Sequence, residues 1–211
     1  MKIVAFFGSK GGTGKSTLAH LLAYGAALHG QPALVVHTDD REPEIHDSRP
    51  YHYFDGRDPK RLYAVLERAK TGGEGLCVID GGGNRPGLDR ILAKACDLIL
   101  IPCGIGGQDA PMALRDLERL PGAWIIVNRF PLSPGHRRRP KAEDYIAQLP
   151  RKRILCRLGE SAAVDRFTEP DTRPWTAPPT RVNNAARALY RKVRDKLAQS
   201  SPSPDPHPGS G

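Results

Sequence analysis

Ile3-Val4-Ala5-Phe6-Phe7-Gly8-Ser9-Lys10-Gly11-Gly12-Thr13-Gly14-Lys15-Ser16-Thr17 is the stretch from which the rest of the chain is read. Five apolar residues run into a glycine-rich loop, and the loop runs into Leu18, Leu21, Leu22 and Ala26 on one helical face. Strand, glycine loop and helix is the setting a phosphate-binding loop requires. Glycines let the backbone curl until its N–H groups converge on an anion. The helix that follows turns its positive end toward the same anion. Gly11, Gly12, Thr13, Gly14, Lys15, Ser16 and Thr17 therefore form the candidate nucleotide-binding segment. Lys15 supplies a point charge for the β- and γ-phosphates, and the Ser16 hydroxyl can bind Mg²⁺. A glycine-rich turn without a ligand has no need of Lys-Ser after its last glycine.

A second lysine, Lys10, stands directly before Gly11-Gly12. An ordinary phosphate loop does not need it. With it, the segment resembles the deviant Walker A signature KGGxGK[ST] of the ParA/MinD superfamily of ATPases, specifically its ParA-like branch. The resemblance implies ATP and Mg²⁺ as cofactors and a Lys10 that reaches across a dimer interface to the nucleotide of the partner, so that ATP bridges two subunits.

Further segments support the resemblance. Pro32 to Val36 is an apolar run that ends in His37-Thr38-Asp39-Asp40. Carboxylates there sit at the carboxyl edge of a parallel sheet, where open α/β sheets bind ligands. The family has an Asp-x-Asp-Pro-Gln-like motif at this place. Alignment of the apolar runs sets His37 at its first Asp and Asp39 at its second. Asp39 is thereby the candidate for orienting water and for Mg²⁺, and with Lys10 and Lys15 it makes up the candidate catalytic set. His37 is a departure, and the Pro-Gln is missing.

Leu76-Cys77-Val78-Ile79-Asp80 is an apolar strand that ends in an acid, a Walker B pattern whose carboxylate holds Mg²⁺ through water. Ser16, Asp39 and Asp80 are the candidate metal residues. Gly81-Gly82-Gly83 follows where the family carries Thr-Pro-Pro. Ala95 to Pro102 resembles the family's "aaDlvliP" strand, with Asp97 in a structural role. Ala123 to Arg129 is another strand, and by the family match Asn128 at its end meets the adenine edge.

Between these strands, helical patterns cover Pro59–Lys70, opened by Asp58-Pro59 as cap and first-turn proline, and Ala110–Leu120. Residues 41–58 are polar and turn-rich and read as a loop. Strands alternating with helices predict a doubly wound α/β domain with a mostly parallel sheet and helices on both faces, of the P-loop NTPase type. Residues 1–198 are expected to form one domain, and 199–211 a disordered Ser/Pro/Gly tail. The loop at 168–180 is expected beside the base.

The chain has 211 residues and a net charge of +9 from 32 basic and 23 acidic residues. That balance favours polyanionic partners. Arg187, Arg191 and Arg194 recur at i, i+4, i+7 on the last helix, with Lys192 and Lys196 beside them. Two clusters, Arg137-Arg138-Arg139 with Lys141 and Arg151-Lys152-Arg153, add seven cations. A stripe of this kind can follow a phosphate backbone in a salt-dependent manner. Arg187, Arg191, Lys192, Arg194, Arg151, Lys152 and Arg153 are the candidate DNA contacts.

The four cysteines show no metal-site spacing and fit a reduced compartment. No secretory signal and no run of about 20 apolar residues is present. The expectation is a cytoplasmic, nucleoid-associated, ATP-dependent homodimer that binds DNA non-specifically, hydrolyses ATP weakly, and answers to a stimulating partner protein. Three other classes share the fold. A MinD-like membrane-positioning ATPase needs an amphipathic terminal helix. A metabolic ligase or iron-protein-like reductase needs a substrate pocket or cluster cysteines. A nucleotide-gated interaction protein, as in conjugative DNA transfer, needs no turnover, and His37 with Gly81-Gly82-Gly83 favours it.

Overall fold

The structure is a computed structural model and describes residues 1–40, 49–82, 86–168 and 175–200. Gly83, residues 169–174 of the expected base-side loop and residues 201–211 of the tail lie outside it.

Seven strands form one parallel sheet in the order β3-β2-β4-β1-β5-β6-β7. They are β1 (Lys2–Phe6), β2 (Ala33–His37), β3 (His52–Asp55), β4 (Leu76–Asp80), β5 (Leu98–Cys103), β6 (Trp124–Phe130) and β7 (Ile154–Gly159). The helices are α1 (Lys15–Ala27), α2 (Pro59–Thr71), α3 (Pro86–Ala93), α4 (Asp109–Arg119), α5 (Arg139–Ala147), α6 (Ala162–Asp165) and α7 (Thr180–Ser200).

The strands β1, β4 and β5 are near-continuous apolar runs because both of their faces are covered, as a parallel sheet demands. One face packs Val4, Phe6, Val35, Val78 and Leu100 under α1 and α7, with Leu18, Leu22, Val182, Ala186 and Leu189. The other packs Ile3, Ala5, Phe7, Ile79 and Ile101 under α2, α4 and α5, with Leu62, Leu66, Ala113, Ala142 and Ile146. The helices α1 and α7 touch backbone to backbone, since a Cβ on Gly25 would stand 2.3 Å from the Ala186 carbonyl oxygen. The central position of β1 between β4 and β5 places the glycine loop at the middle of the sheet's carboxyl edge.

One expectation is corrected. Residues 52–55 are not loop but the edge strand β3, paired with β2 from Leu34–His52 to His37–Asp55. Only four residues long and polar on its outer side, β3 lacks the apolar run by which its neighbours announce themselves. Its pairing with β2 is a long-range contact that local pattern does not encode. The last helix also runs further than expected, to Ser200.

Candidate nucleotide-binding site

The glycine loop has the backbone its sequence demands. Gly12 (φ 73°) and Gly14 (φ 97°) adopt left-handed conformations that residues with a Cβ rarely take. Gly14 is further constrained, because a Cβ there would meet Asn128 Nδ2 at 2.5 Å. Lys15 starts α1 and is 7% exposed. Its Nζ donates to the Lys10 carbonyl oxygen at 2.9 Å, so the ammonium lies across the bowl of the loop. Burial pushes its pKa below the usual lysine value, and Asp80, Asp89, Asp39 and Asp116 oppose that shift. Four carboxylates thus converge electrostatically on one buried amine.

Asp80 ends β4 beside β1 and β2, in register with Phe6 and His37. It is 1% exposed, and its Oδ1 is buried with no hydrogen-bond partner among the described residues. A buried carboxylate oxygen without a donor is costly. It fits an atom kept for a cation or for a water held by one. The His37 Nδ1 is 3.7 Å from Asp80 Oδ2, and the Thr38 hydroxyl donates to the Asp80 carbonyl oxygen at 2.9 Å. Asp39 follows β2 at the same edge and acts on Lys15. No group of three or more His, Cys, Asp or Glu that could hold a metal exists among the described residues. A metal here takes its remaining ligands from the Ser16 hydroxyl, from water and from phosphate oxygens.

Lys10 is placed at the rim. Its Nζ is ion-paired with Asp109, the first residue of α4, and its side chain is 34% exposed. The other Asp109 oxygen, Oδ2, accepts from the Gly106 N–H at 2.6 Å, which anchors the acid that holds Lys10.

Asn128 lies beneath the loop instead of beside an open pocket. Its Nδ2 donates to the Thr13 carbonyl oxygen at 3.0 Å, and its Oδ1 accepts from the Arg129 N–H at 3.0 Å. In this arrangement it braces the loop. Thr17 meets Thr168 across a hydroxyl pair at 3.3 Å, which brings the start of the base-side segment to α1.

Two residues that shape the loop escape the motif. Asp116 is 4% exposed and its Oδ2 accepts from the Ser9 N–H at 2.9 Å and the Ser9 hydroxyl at 3.2 Å, fastening the entry of the loop. Its signal is an acid at the third place of the buried series Ala110, Ala113, Asp116. Arg129 has φ 57°, a strained setting for a residue with a Cβ. Its guanidinium donates to the Gly12 carbonyl oxygen at 3.1 Å and to Asp165 at 2.9 Å. The sequence carries no signal for that contact.

The basic residues divide. Arg187, Arg191, Lys192, Arg194, Arg151 and Lys152 are exposed. Arg194 pairs with Asp195 at 2.9 Å. Arg153 turns inward, donates to the Ala123 and Pro121 carbonyl oxygens and lies 5.9 Å from the Trp124 ring centre. Lys196 sits 3.7 Å from the centre of the same ring, so Trp124 joins the 151–153 turn to the end of α7. The 137–141 cluster is largely neutralised, with Arg138 on Glu160 and Arg139 on Glu143.

No family model and no curated protein matches the sequence. Solved structures do. The MinD cell division protein of Aquifex aeolicus is 18% identical, with 92% of this chain and 97% of that chain covered at a TM-score of 0.69. A plasmid partition protein of Borrelia burgdorferi bound to AMPPNP is 15% identical over 92% of this chain and 99% of that one, with a TM-score of 0.64. The septum site-determining protein MinD of Pyrococcus horikoshii, complexed with Mg-ADP, is 15% identical over 95% and 98%, with a TM-score of 0.62. At these identities the likeness is one of fold. A parallel seven-stranded sheet with a two-lysine phosphate loop at its central strand thus has the fold that MinD and the partition protein share, the fold of the ParA/MinD superfamily.

Proposed function

We propose that the chain is a ParA-like ATPase that binds ATP with Mg²⁺, closes into a dimer across the nucleotide, and binds DNA non-specifically in that state, acting in DNA partition or cargo positioning. Hydrolysis, slow alone and quickened by a partner protein, releases it. The protein then works in the cytoplasm on the nucleoid.

The observation that carries the reading is the division of labour between the two loop lysines. Lys15 lies buried in the bowl, where it meets phosphates of its own nucleotide. Lys10 lies at the rim, half-exposed, where it can meet a nucleotide held by a second copy. The nucleotides bound in the partition protein and in Pyrococcus MinD support ATP and Mg²⁺. Ser16 and Asp80 would hold the metal, which spreads the charge that builds on the β- and γ-phosphates. The loop amides and Lys15 stabilise that charge, and Asp39 orients water. Asn128, fixed on the Thr13 carbonyl, keeps the loop in shape.

The DNA surface rests on the exposed cations of α7 with Arg151 and Lys152, gathered around Trp124. A dimer doubles this patch on one rigid body, and two weak patches bind far tighter than either alone. Among the described residues no helix is long and apolar enough to cross a membrane.

Co-sedimentation with random duplex DNA tests the proposal, run with ADP, ATP and a slowly hydrolysed analogue across a salt series. The triphosphates should retain the protein, ADP should not, and salt should weaken retention steeply. Equal retention with ADP and ATP removes the reading. A second reading, a nucleotide-gated interaction protein with little turnover, is favoured by His37 at the place of an acid. It predicts triphosphate-dependent retention that outlasts hours of incubation with ATP.

A further inference from the structure

We infer that His37 makes the metal position of this site selective for a first-row transition ion such as Mn²⁺ over Mg²⁺. The inference rests on the reading that a metal nucleotide fills the loop, and it departs from that reading in the identity of the metal.

His37 closes β2 in register with Asp80 on β4, and both residues lie on the α1 side of the sheet. Ser16 opens α1 above them. The imidazole is 8% exposed, and the Tyr53 ring centre stands 6.1 Å from its own, so it is walled in rather than waving in solvent. Its Nδ1 lies 3.7 Å from Asp80 Oδ2. That is too long for a hydrogen bond. Two ligands of one ion, each bonded at about 2.1 Å, stand roughly 3 to 3.5 Å apart at ordinary coordination angles. The observed gap is within a few tenths of an ångström of that range. The second, independent observation is the buried Asp80 Oδ1 with no partner, an acceptor on the same carboxylate that protein donors leave unsatisfied.

The consequence follows from ligand chemistry. Mg²⁺ is a hard ion that keeps oxygen ligands and gives up water reluctantly. Imidazole nitrogen suits Mn²⁺ less than it suits Co²⁺, Ni²⁺ or Zn²⁺, but all of these take it more readily than Mg²⁺ does. An acid at position 37 would add charge and an oxygen, and so would favour Mg²⁺. The imidazole adds neither. A hydroxyl, a carboxylate, an imidazole and phosphate oxygens form a mixed donor set that a transition ion satisfies and Mg²⁺ does not.

Pulsed EPR on the full chain with Mn²⁺ and AMPPNP tests this without reference to turnover. The expected spectrum of bound Mn²⁺ carries a ¹⁴N modulation that vanishes when the protein is made with ¹⁵N-histidine, which sets it apart from the nitrogens of adenine. His37→Asp should keep bound Mn²⁺, lose the modulation, and lower the preference for Mn²⁺ over Mg²⁺ by about tenfold. The ¹⁵N comparison needs no variant, so a misfolded His37→Asp leaves the test standing. Bound Mn²⁺·AMPPNP with no histidine nitrogen in its shell overturns the inference alone. Mn²⁺·AMPPNP that stays free in solution overturns both the inference and the nucleotide reading beneath it.

Discussion

Lys15 and His20 stand one turn apart on α1 and are both buried, yet they serve opposite ends. Lys15 is a cation kept in place for an anion. Its replacement by Met should weaken nucleotide binding roughly tenfold to 100-fold, the loss of about 1.5–3 kcal/mol carried by a charge-assisted hydrogen bond. A fluorescent-nucleotide titration reads this, and an unchanged far-UV CD spectrum shows that the fold survives. His20 is a base kept neutral. It is fully buried, and its Nδ1 is 2.9 Å from the Tyr51 hydroxyl. Burial, then Arg49, then His37 drive its pKa well below 6.5. The unfolded chain takes up this proton once the pH falls below about 6.5 and the folded chain does not. The stability tied to His20 is therefore present above that pH and lost progressively below it. The wild-type Tm should fall between about pH 7 and pH 5, and His20→Gln should flatten that fall. Parallel Tm profiles for the two proteins would show that His20 is not the group responsible. The cysteines are inert by the same physics, because burial raises Cys77, Cys96, Cys103 and Cys156 to about 12.

At the scale of elements, the glycine loop and the α1–α7 contact are tight enough to test with single methyl groups. Gly14→Ala forces a Cβ into a left-handed backbone and against Asn128 Nδ2, so it should abolish nucleotide binding as well as cost stability. Gly25→Ala drives a Cβ into the Ala186 carbonyl and should destabilise by about 1–3 kcal/mol while the loop stays intact. Urea unfolding paired with nucleotide titration separates the two effects. A Gly25→Ala chain as stable as wild type would mean that α7 does not dock at the distance described.

The elements that could be read from the sequence were those with local signals. The strands β1, β2 and β4 ended in residues that chemistry needs, and α2 opened with Asp58, whose carboxylate accepts from the Lys60 N–H at 2.8 Å. The strand β3 was hidden because its stability comes from β2. Lys10, Lys15, Ser16 and Asp80 were legible because a motif fixes them. The contacts of Asp116 and Arg129 with the loop were not, since each spans more than 100 residues and depends on where two helices and a strand end come to rest. Asn128 was placed correctly at the loop, but its partner is the Thr13 carbonyl, a contact no strand-end pattern announces.

At the scale of the whole molecule, charge and symmetry are coupled. Exposed cations on α7 and at residues 151–152 form a patch too small to hold DNA alone, and doubling it is what a dimer contributes. Each phosphate contact should add about 0.9 to the slope of log K against log salt. Arg187→Glu with Arg191→Glu should lower the slope of the triphosphate form by about 2 if both touch DNA, as fluorescence anisotropy across a salt series would show. An unaltered slope would move the DNA to another face.

The central claim is that a triphosphate joins two copies of the chain through Lys10. Sedimentation velocity measures it directly, with wild type and Lys10→Ala each run with Mg-ADP and with Mg-AMPPNP. The account predicts a doubled mass only for wild type with the triphosphate analogue. A wild-type chain that binds Mg-AMPPNP and remains a single subunit, or a Lys10→Ala chain that dimerises as well as wild type, contradicts it.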